Sequence, residues 1–199
     1  MSRPLETTPQ TFRETVTKYR DRVAMRKKEY GLWHDVSWNE YYRLVGDVAC
    51  GLISMGLRKG DCVAIIGDNC PEWVIADLAV QCAGGVVAGV YATNAWPQVE
   101  YVVSDSDSTF FFVENEEQLD KWLRFRERVP CLKKVIVWDT EGLRQFSDPM
   151  VMTFEALLER GRRVAEEKPD LFEIRMNDVQ PEDVCMLIYT SGTTGPPKG

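Results

Sequence analysis

The sequence predicts an α/β fold with a mainly parallel sheet flanked by helices, and three observations carry that expectation. Short apolar runs recur along the chain at 63–66, 86–91, 110–113, 135–138 and 184–189. Between them lie stretches with apolar residues at helical spacing, opened by a proline or a capping residue. The runs are continuous rather than alternating, which is how strands covered on both faces by helices read.

Each element follows from local chemistry. Thr8 before Pro9 reads as an N-cap and first helical residue, and Phe12, Val16 and Tyr19 then share one face. Residues 22–37 carry alternating and aromatic positions around Gly31, a hairpin ending at Ser37. Ser37 and Glu40 form an S-x-x-E capping box for a helix whose stripe is Tyr41, Val45, Val48 and Leu52, with Gly56 as its stop. After the run 63–66, Pro71 opens a helix that Gly84-Gly85 breaks from the run 86–91. A helix from about residue 97, the run 110–113, a helix over 116–126 and the run 135–138 continue the alternation. Residues 139–152 read as loop, and Thr153 caps a helix through Glu159. Over 164–183 seven acidic residues face two basic ones, with Pro169 and Pro181, so this stretch reads as a solvated connector. The expected organisation is therefore an α/β subdomain over 1–163, a connector over 164–183, and a strand with its following loop over 184–199. No internal repeat or low-complexity tract is visible.

Composition excludes several functions. The 199 residues carry 24 Lys+Arg against 31 Asp+Glu, a formal charge of −7, with 44% apolar residues. That is ordinary globular composition, long enough for a real core and without the dominant basic face that binding nucleic acid requires. The six cysteines, at 50, 62, 70, 82, 131 and 185, include no C-x-x-C pair, and there is a single histidine, so zinc spacing is unsupported. No secretory h-region and no Asn-x-Ser/Thr sequon occur, and a cytoplasmic location is expected. The apolar window 73–92 contains Gly85-x-x-x-Gly89, but Asp77, Gln81 and the Gly84-Gly85 break argue against a spanning helix. Peripheral membrane contact needs no such helix and stays open, as does oligomeric state.

The last ten residues carry the chemistry. Thr190-Ser191-Gly192-Thr193-Thr194-Gly195-Pro196-Pro197-Lys198-Gly199 packs four hydroxyls, three glycines and one lysine together without an acid. Glycines let backbone N–H groups turn toward a common point, hydroxyls add neutral donors, and the lysine adds a full charge. This is a phosphate cradle at the carboxyl end of a strand, where open α/β sheets place ligands. It is not a Walker A loop, because Pro197 precedes Lys198 and Gly199 follows it. The two prolines restrict the arm that delivers Lys198. A flexible Ser/Thr/Gly linker would account for the glycines and hydroxyls but not for a Pro-Pro-Lys-Gly arm directly after an apolar run.

The ten-residue segment resembles the phosphate-binding signature of the adenylate-forming superfamily, which includes acyl-CoA synthetases, firefly luciferase and the adenylation domains of peptide synthetases. Upstream, Gly67-Asp68-Asn69-Cys70-Pro71-Glu72-Trp73, Ala76-Asp77-Leu78-Ala79, Ala83-Gly84-Gly85 and Gly89-Val90-Tyr91-Ala92-Thr93 resemble the opening of long-chain fatty acyl-CoA synthetases, the bubblegum-like branch included. The likeness runs over most of residues 10–199. It implies an ATP-dependent ligase that makes acyl-AMP from a fatty acid and Mg·ATP and passes the acyl group to coenzyme A. It assigns the β- and γ-phosphates to Ser191, Thr193 and Thr194 as hydroxyl donors, Gly192 and Gly195 as close-approach backbone, and Lys198 as counter-charge, with Thr190 at the strand end. Family members run to several hundred residues, so Mg2+ ligands, the adenine contacts, most of the acyl tunnel and the catalytic residues are expected outside this stretch, and residues 1–199 alone are expected to lack ligase activity. An adenylating enzyme for an aryl or amino acid and a non-catalytic nucleotide-binding module are the alternatives.

Other features read as structural. Lys121, Arg124 and Arg128 with Trp122 and Phe125 fit an amphipathic surface helix better than a nucleic-acid patch. His34 has no catalytic partner placed by sequence. Trp73 and Trp96 read as packing residues, and Cys70 and Cys82 as small buried fillers. No spacing of carboxylates argues for a general acid and base pair.

Overall fold

A computed structural model describes residues 6–190 of the chain. The first helix, α1 (Thr8–Tyr19), is capped by Thr7 rather than Thr8. Gln10 decides this: its backbone N–H donates to the Thr7 hydroxyl at 3.3 Å, and its side-chain oxygen accepts from the Thr7 N–H at 3.0 Å, a reciprocal box that Thr8 cannot form. The hairpin follows as β1 (Val23–Glu29) and β2 (Leu32–Ser37), paired antiparallel. Ser37 then caps α2 (Trp38–Ser54), accepting from the Glu40 N–H at 3.2 Å, and the chain turns at Gly56, φ +94°.

The remaining strands build one sheet: β3 (Cys62–Ile66), β4 (Val86–Val90), β5 (Phe110–Val113), β6 (Lys134–Val137), β7 (Val151–Thr153) and β8 (Met186–Ile188). Their spatial order is β7-β6-β5-β3-β4-β8, and every neighbouring pair is parallel, as the continuous apolar runs predict. Connections are α3 (Pro71–Cys82), α4 (Trp96–Asp105), α5 (Glu116–Leu123) with a 3-10 turn at Arg126–Arg128, α6 (Phe154–Glu167) and α7 (Leu171–Asn177).

Side chains alternate along each strand and so divide the core in two. Val63, Ile65, Phe110, Phe112 and Ile136 face α1, α2, α3, α6 and α7, whereas Ala64, Ile66, Phe111, Val113, Val135 and Val137 face α4 and α5. Helices α2 and α6 come closest: a Cβ on Gly161 would lie 1.6 Å from the Asp47 carbonyl oxygen, so only glycine permits that approach. The chain leaves β3 for the first face through α3, but leaves β4 and β5 for the second through α4 and α5. Those connections part around β3, which makes the carboxyl ends of β3 and β4 the topological switch point.

Three stretches differ from the sequence expectation. Residues 151–152, expected as loop, form β7 together with the capping residue Thr153 beside β6; three residues carry no periodicity of their own, and the pairing with β6 supplies the strand. The helix capped by Thr153 runs to Glu167 rather than Glu159. Within 164–183, expected as a solvated connector, α7 buries Phe172 and Met176 against α2, and Arg175 donates twice to the Ala83 carbonyl. Most of the acidic residues face outward, Glu173 accepts from Arg13 and Tyr42, and the buried Phe172, Met176 and Val179 hold the segment down.

Candidate functional site

The carboxyl ends of β3, β4 and β8 enclose a cleft of about 450 Å3. Its walls come from Gly67, Asp68 and Asn69 after β3, Trp73 in the first turn of α3, Tyr91 and Ala92 after β4, and Met186 to Tyr189 along β8. Each wall is held from behind. A Cβ at Gly67 would lie 2.4 Å from the Trp138 ring and 2.9 Å from Glu114 Cβ, so the missing side chain lets the turn lie flat against the end of β5 and β6. The Asp68 N–H then donates to a Glu114 carboxylate oxygen at 2.8 Å. On the floor, Gly89 has open space where its Cβ would stand. Tyr91, exposed, and Trp73, half-buried, supply aromatic surface.

Strand β8 enters from the edge. Directly after it, the buried Tyr189 donates its hydroxyl to Asp105 at 2.8 Å and lies edge-on to Tyr101 at 6.3 Å. Burial and the neighbouring Asp105 carboxylate push the Tyr189 phenol well above its ordinary value, so it stays neutral and donating. This anchor fixes where the chain emerges. Thr190 follows as an exposed bridge residue beyond the strand end. Ser191, Gly192, Thr193, Thr194, Gly195 and Lys198 lie outside the described residues.

The described walls are suited to position rather than to react. Of the described residues lining the cleft, Asp68 is the one that carries a charge. Among the described residues no group of three or more His, Cys, Asp or Glu could hold a metal ion, so Mg2+ ligands are not found here. Burial pushes the Cys50 thiol up to about 11 and Cys70 up to about 12, and Cys82 higher still, so these three are not activated nucleophiles. An anion bound here must take its countercharge from elsewhere in the chain.

The residues read as structural are placed accordingly, with one addition. Trp122 and Phe125 are buried, Lys121 donates to the Ala92 carbonyl at 2.7 Å and pairs with Glu117, and Arg128 pairs with Glu100, while Arg124 stands exposed at the end of α5. His34 stands exposed on β2, and of the two cysteines read as buried fillers Cys82 is buried whereas Cys70, just before α3, is only half-buried. Trp73 packs against the core but also forms a cleft wall. Sequence reasoning treated it as packing alone; the signal available was its position two residues after the proline that opens α3 at a strand's carboxyl end. Among the described residues no helix is long and apolar enough to cross a membrane.

The family model described as AMP-binding enzyme matches residues 12–199. A long-chain-fatty-acid–CoA ligase of Xenopus laevis is 37% identical over 198 residues, covering 100% of this chain and 26% of that protein. One of Bos taurus is 36% identical over 194 residues, covering 97% and 26%. The chain therefore spans about a quarter of the length of the curated relatives it matches. Among solved structures, an anthranilate CoA ligase in complex with anthranoyl-AMP superposes with a TM-score of 0.80 at 20% identity, covering 98% of this chain and 34% of that one. The adenylation domain of a carboxylate reductase from Mycobacterium chelonae gives 0.70 at 20% identity, covering 100% and 34%. At that identity the likeness speaks to the fold alone.

Proposed function

The chain belongs to the AMP-binding enzyme family, and on that premise we propose that it is the amino-terminal part of an ATP-dependent acid–thiol ligase for long-chain fatty acids. The carboxylate oxygen of the acid attacks the α-phosphorus of ATP, the bond to the bridging oxygen breaks, and pyrophosphate leaves with that electron pair. The thiol of coenzyme A then attacks the acyl carbon, loses its proton, and expels AMP.

Charge builds on the pyrophosphate as it leaves, so the first step depends on donors held where that charge appears. In this reading Ser191, Thr193 and Thr194 donate hydroxyls, Gly192 and Gly195 bring backbone N–H groups close, and Lys198 adds a positive charge. Magnesium would add further countercharge to the triphosphate, but the described residues offer no ligand set for it, and no step is assigned to it. The observation that supports the reading most is the placement of Thr190: β8 delivers it beside the cleft at the switch point of the sheet, where α/β folds bind nucleotides. The fatty-acid class is carried over from the names of the relatives.

Lys198→Ala in the full-length protein tests this. Exchange of radiolabelled pyrophosphate into ATP, dependent on a long-chain fatty acid, is expected to fall by about a hundredfold or more, with the unfolding midpoint unchanged. Loss of stability in step with loss of exchange overturns the phosphate role, and exchange supported only by aryl or amino acids overturns the substrate class.

A further inference from the structure

The most exposed apolar cluster of the described residues sits at the tip of the β1–β2 hairpin. Tyr30 is 103% exposed, Leu32 66% and Trp33 65%, all within four consecutive positions. The two-residue turn has Tyr30 at φ +49° and Gly31 at φ +83°, the I′ arrangement, in which Asn, Asp or Gly normally takes the first place. A bulky residue held at positive φ is uncommon and costs about 1–2 kcal/mol, so the tip holds an aromatic outward at the expense of local stability.

Charge is placed with equal economy. Register pairs Lys28 with Trp33 and Arg26 with Asp35 on one face of the hairpin, with the Lys28 ammonium 5.8 Å from the Trp33 ring. Arg26 pairs with Asp35 and Lys27 with Glu29, each at 2.8 Å, which leaves Lys28 as the cation of the hairpin strands outside an ion pair, in a chain whose formal charge is −7. Exposed Trp and Tyr beside cations is the chemistry of a membrane–water interface. The opposite face carries Lys27 and Glu29, and there Asp139, Glu141 and Glu155 from elsewhere in the chain line a hollow of about 440 Å3 beside Tyr30. Lys27 bonds Glu72 at 2.8 Å in the first turn of α3, one residue before Trp73, which ties the hairpin to the end of the sheet where the cleft opens.

We propose that this hairpin tip docks on an anionic phospholipid surface. Tyr30, Leu32 and Trp33 enter at headgroup level, Lys28 meets lipid phosphates, and the acidic hollow behind Tyr30 confines the contact to the tip and the outward face. The proposal stands independently of the ligase reading, since its measurement involves no catalysis.

The test is sedimentation of the full-length protein with phosphatidylcholine vesicles with and without phosphatidylglycerol, alongside gel filtration in the absence of lipid. Binding is expected to require phosphatidylglycerol and to weaken as salt is raised. The double variant Leu32→Ser/Trp33→Ser, altered only at exposed positions, is expected to reduce partitioning by roughly tenfold or more with an unchanged unfolding midpoint. Lys28→Glu is expected to reduce it by a similar factor through charge alone. Failure to sediment, equal sedimentation with phosphatidylcholine alone, or undiminished binding by both variants overturns the proposal. So does a dimer in gel filtration that the double variant splits, which would assign the tip to a second copy of the chain.

Discussion

Strands β5 and β8 are both uninterrupted apolar runs of the same sheet, yet they live in different surroundings. In β5, Phe110, Phe111, Phe112 and Val113 are all fully buried; in β8, Met186 and Leu187 are half-buried and Ile188 is exposed. The difference is position. Strand β5 has β3 and β6 beside it and helices above and below, whereas β8 pairs only with β4 among the described residues. An apolar run thus announces a strand, not its burial. The centre supplies rigidity, and the edge is where the chain leaves the sheet toward the cleft.

The sharpest way to break this contrast is at the centre. Phe112 is fully buried and meets Phe154 of α6 edge-on at 6.3 Å, so it joins β5 to the first helical layer. Phe112→Ala removes the ring and leaves a cavity that the strand ladder on both sides prevents from collapsing. A loss of about 3–5 kcal/mol is expected in urea unfolding. A loss below about 1 kcal/mol would mean that the centre is no more rigid than the edge.

The same contrast explains what was legible in the sequence. The central strands announce themselves through uninterrupted apolar runs, and α2 and α3 through Ser37 and Pro71, because local chemistry alone determines those signals. Strand β7 was silent: Val151, Met152 and Thr153 are half-buried, and only the ladder to β6 makes them a strand. Helix α7 was masked by the acids on either side of it: four of its own seven residues are apolar, but the burial of Phe172 and Met176 depends on α2 being opposite. At the site, the loop over 190–199 was readable because its residue types are rare in combination. The cleft wall was not, because Gly67 and Trp73 acquire their roles from Trp138, Glu114 and β8, which come from distant parts of the chain.

The edge beside the cleft is tested by Tyr189→Phe. The variant keeps the ring, its burial and its edge-on contact with Tyr101, and deletes only the hydroxyl that donates to Asp105. A cost of about 1 kcal/mol is expected in the same unfolding measurement, well below that at Phe112. If the proposed loop takes its position from this anchor, the KM for ATP in the full-length protein should rise more than kcat falls. A stability loss as large as that of Phe112→Ala would show the edge to be part of the core.

The opposite edge gives the smallest effect, and it depends on pH. Asp148 starts the turn into β7: one carboxylate oxygen accepts from Arg126 and the other from the Met150 N–H at 2.8 Å. The Arg126 guanidinium, with help from that N–H, holds the Asp148 carboxyl below its ordinary value. A carboxyl whose pKa is lower folded than unfolded adds stability above the unfolded value, near 4, and loses it as pH falls through the folded value. Asp148→Asn keeps an oxygen for the Met150 N–H and removes only the charge pair. Glu100 and Asp183, lowered by their own partners, titrate equally in both proteins and cancel in the difference. The wild type should therefore be the more stable by up to about 1 kcal/mol above pH ~5, and the gap should close as the pH falls below 4. Parallel stability curves for the two proteins would mean that the ladder to β6 alone holds β7, and that this edge owes nothing to charge.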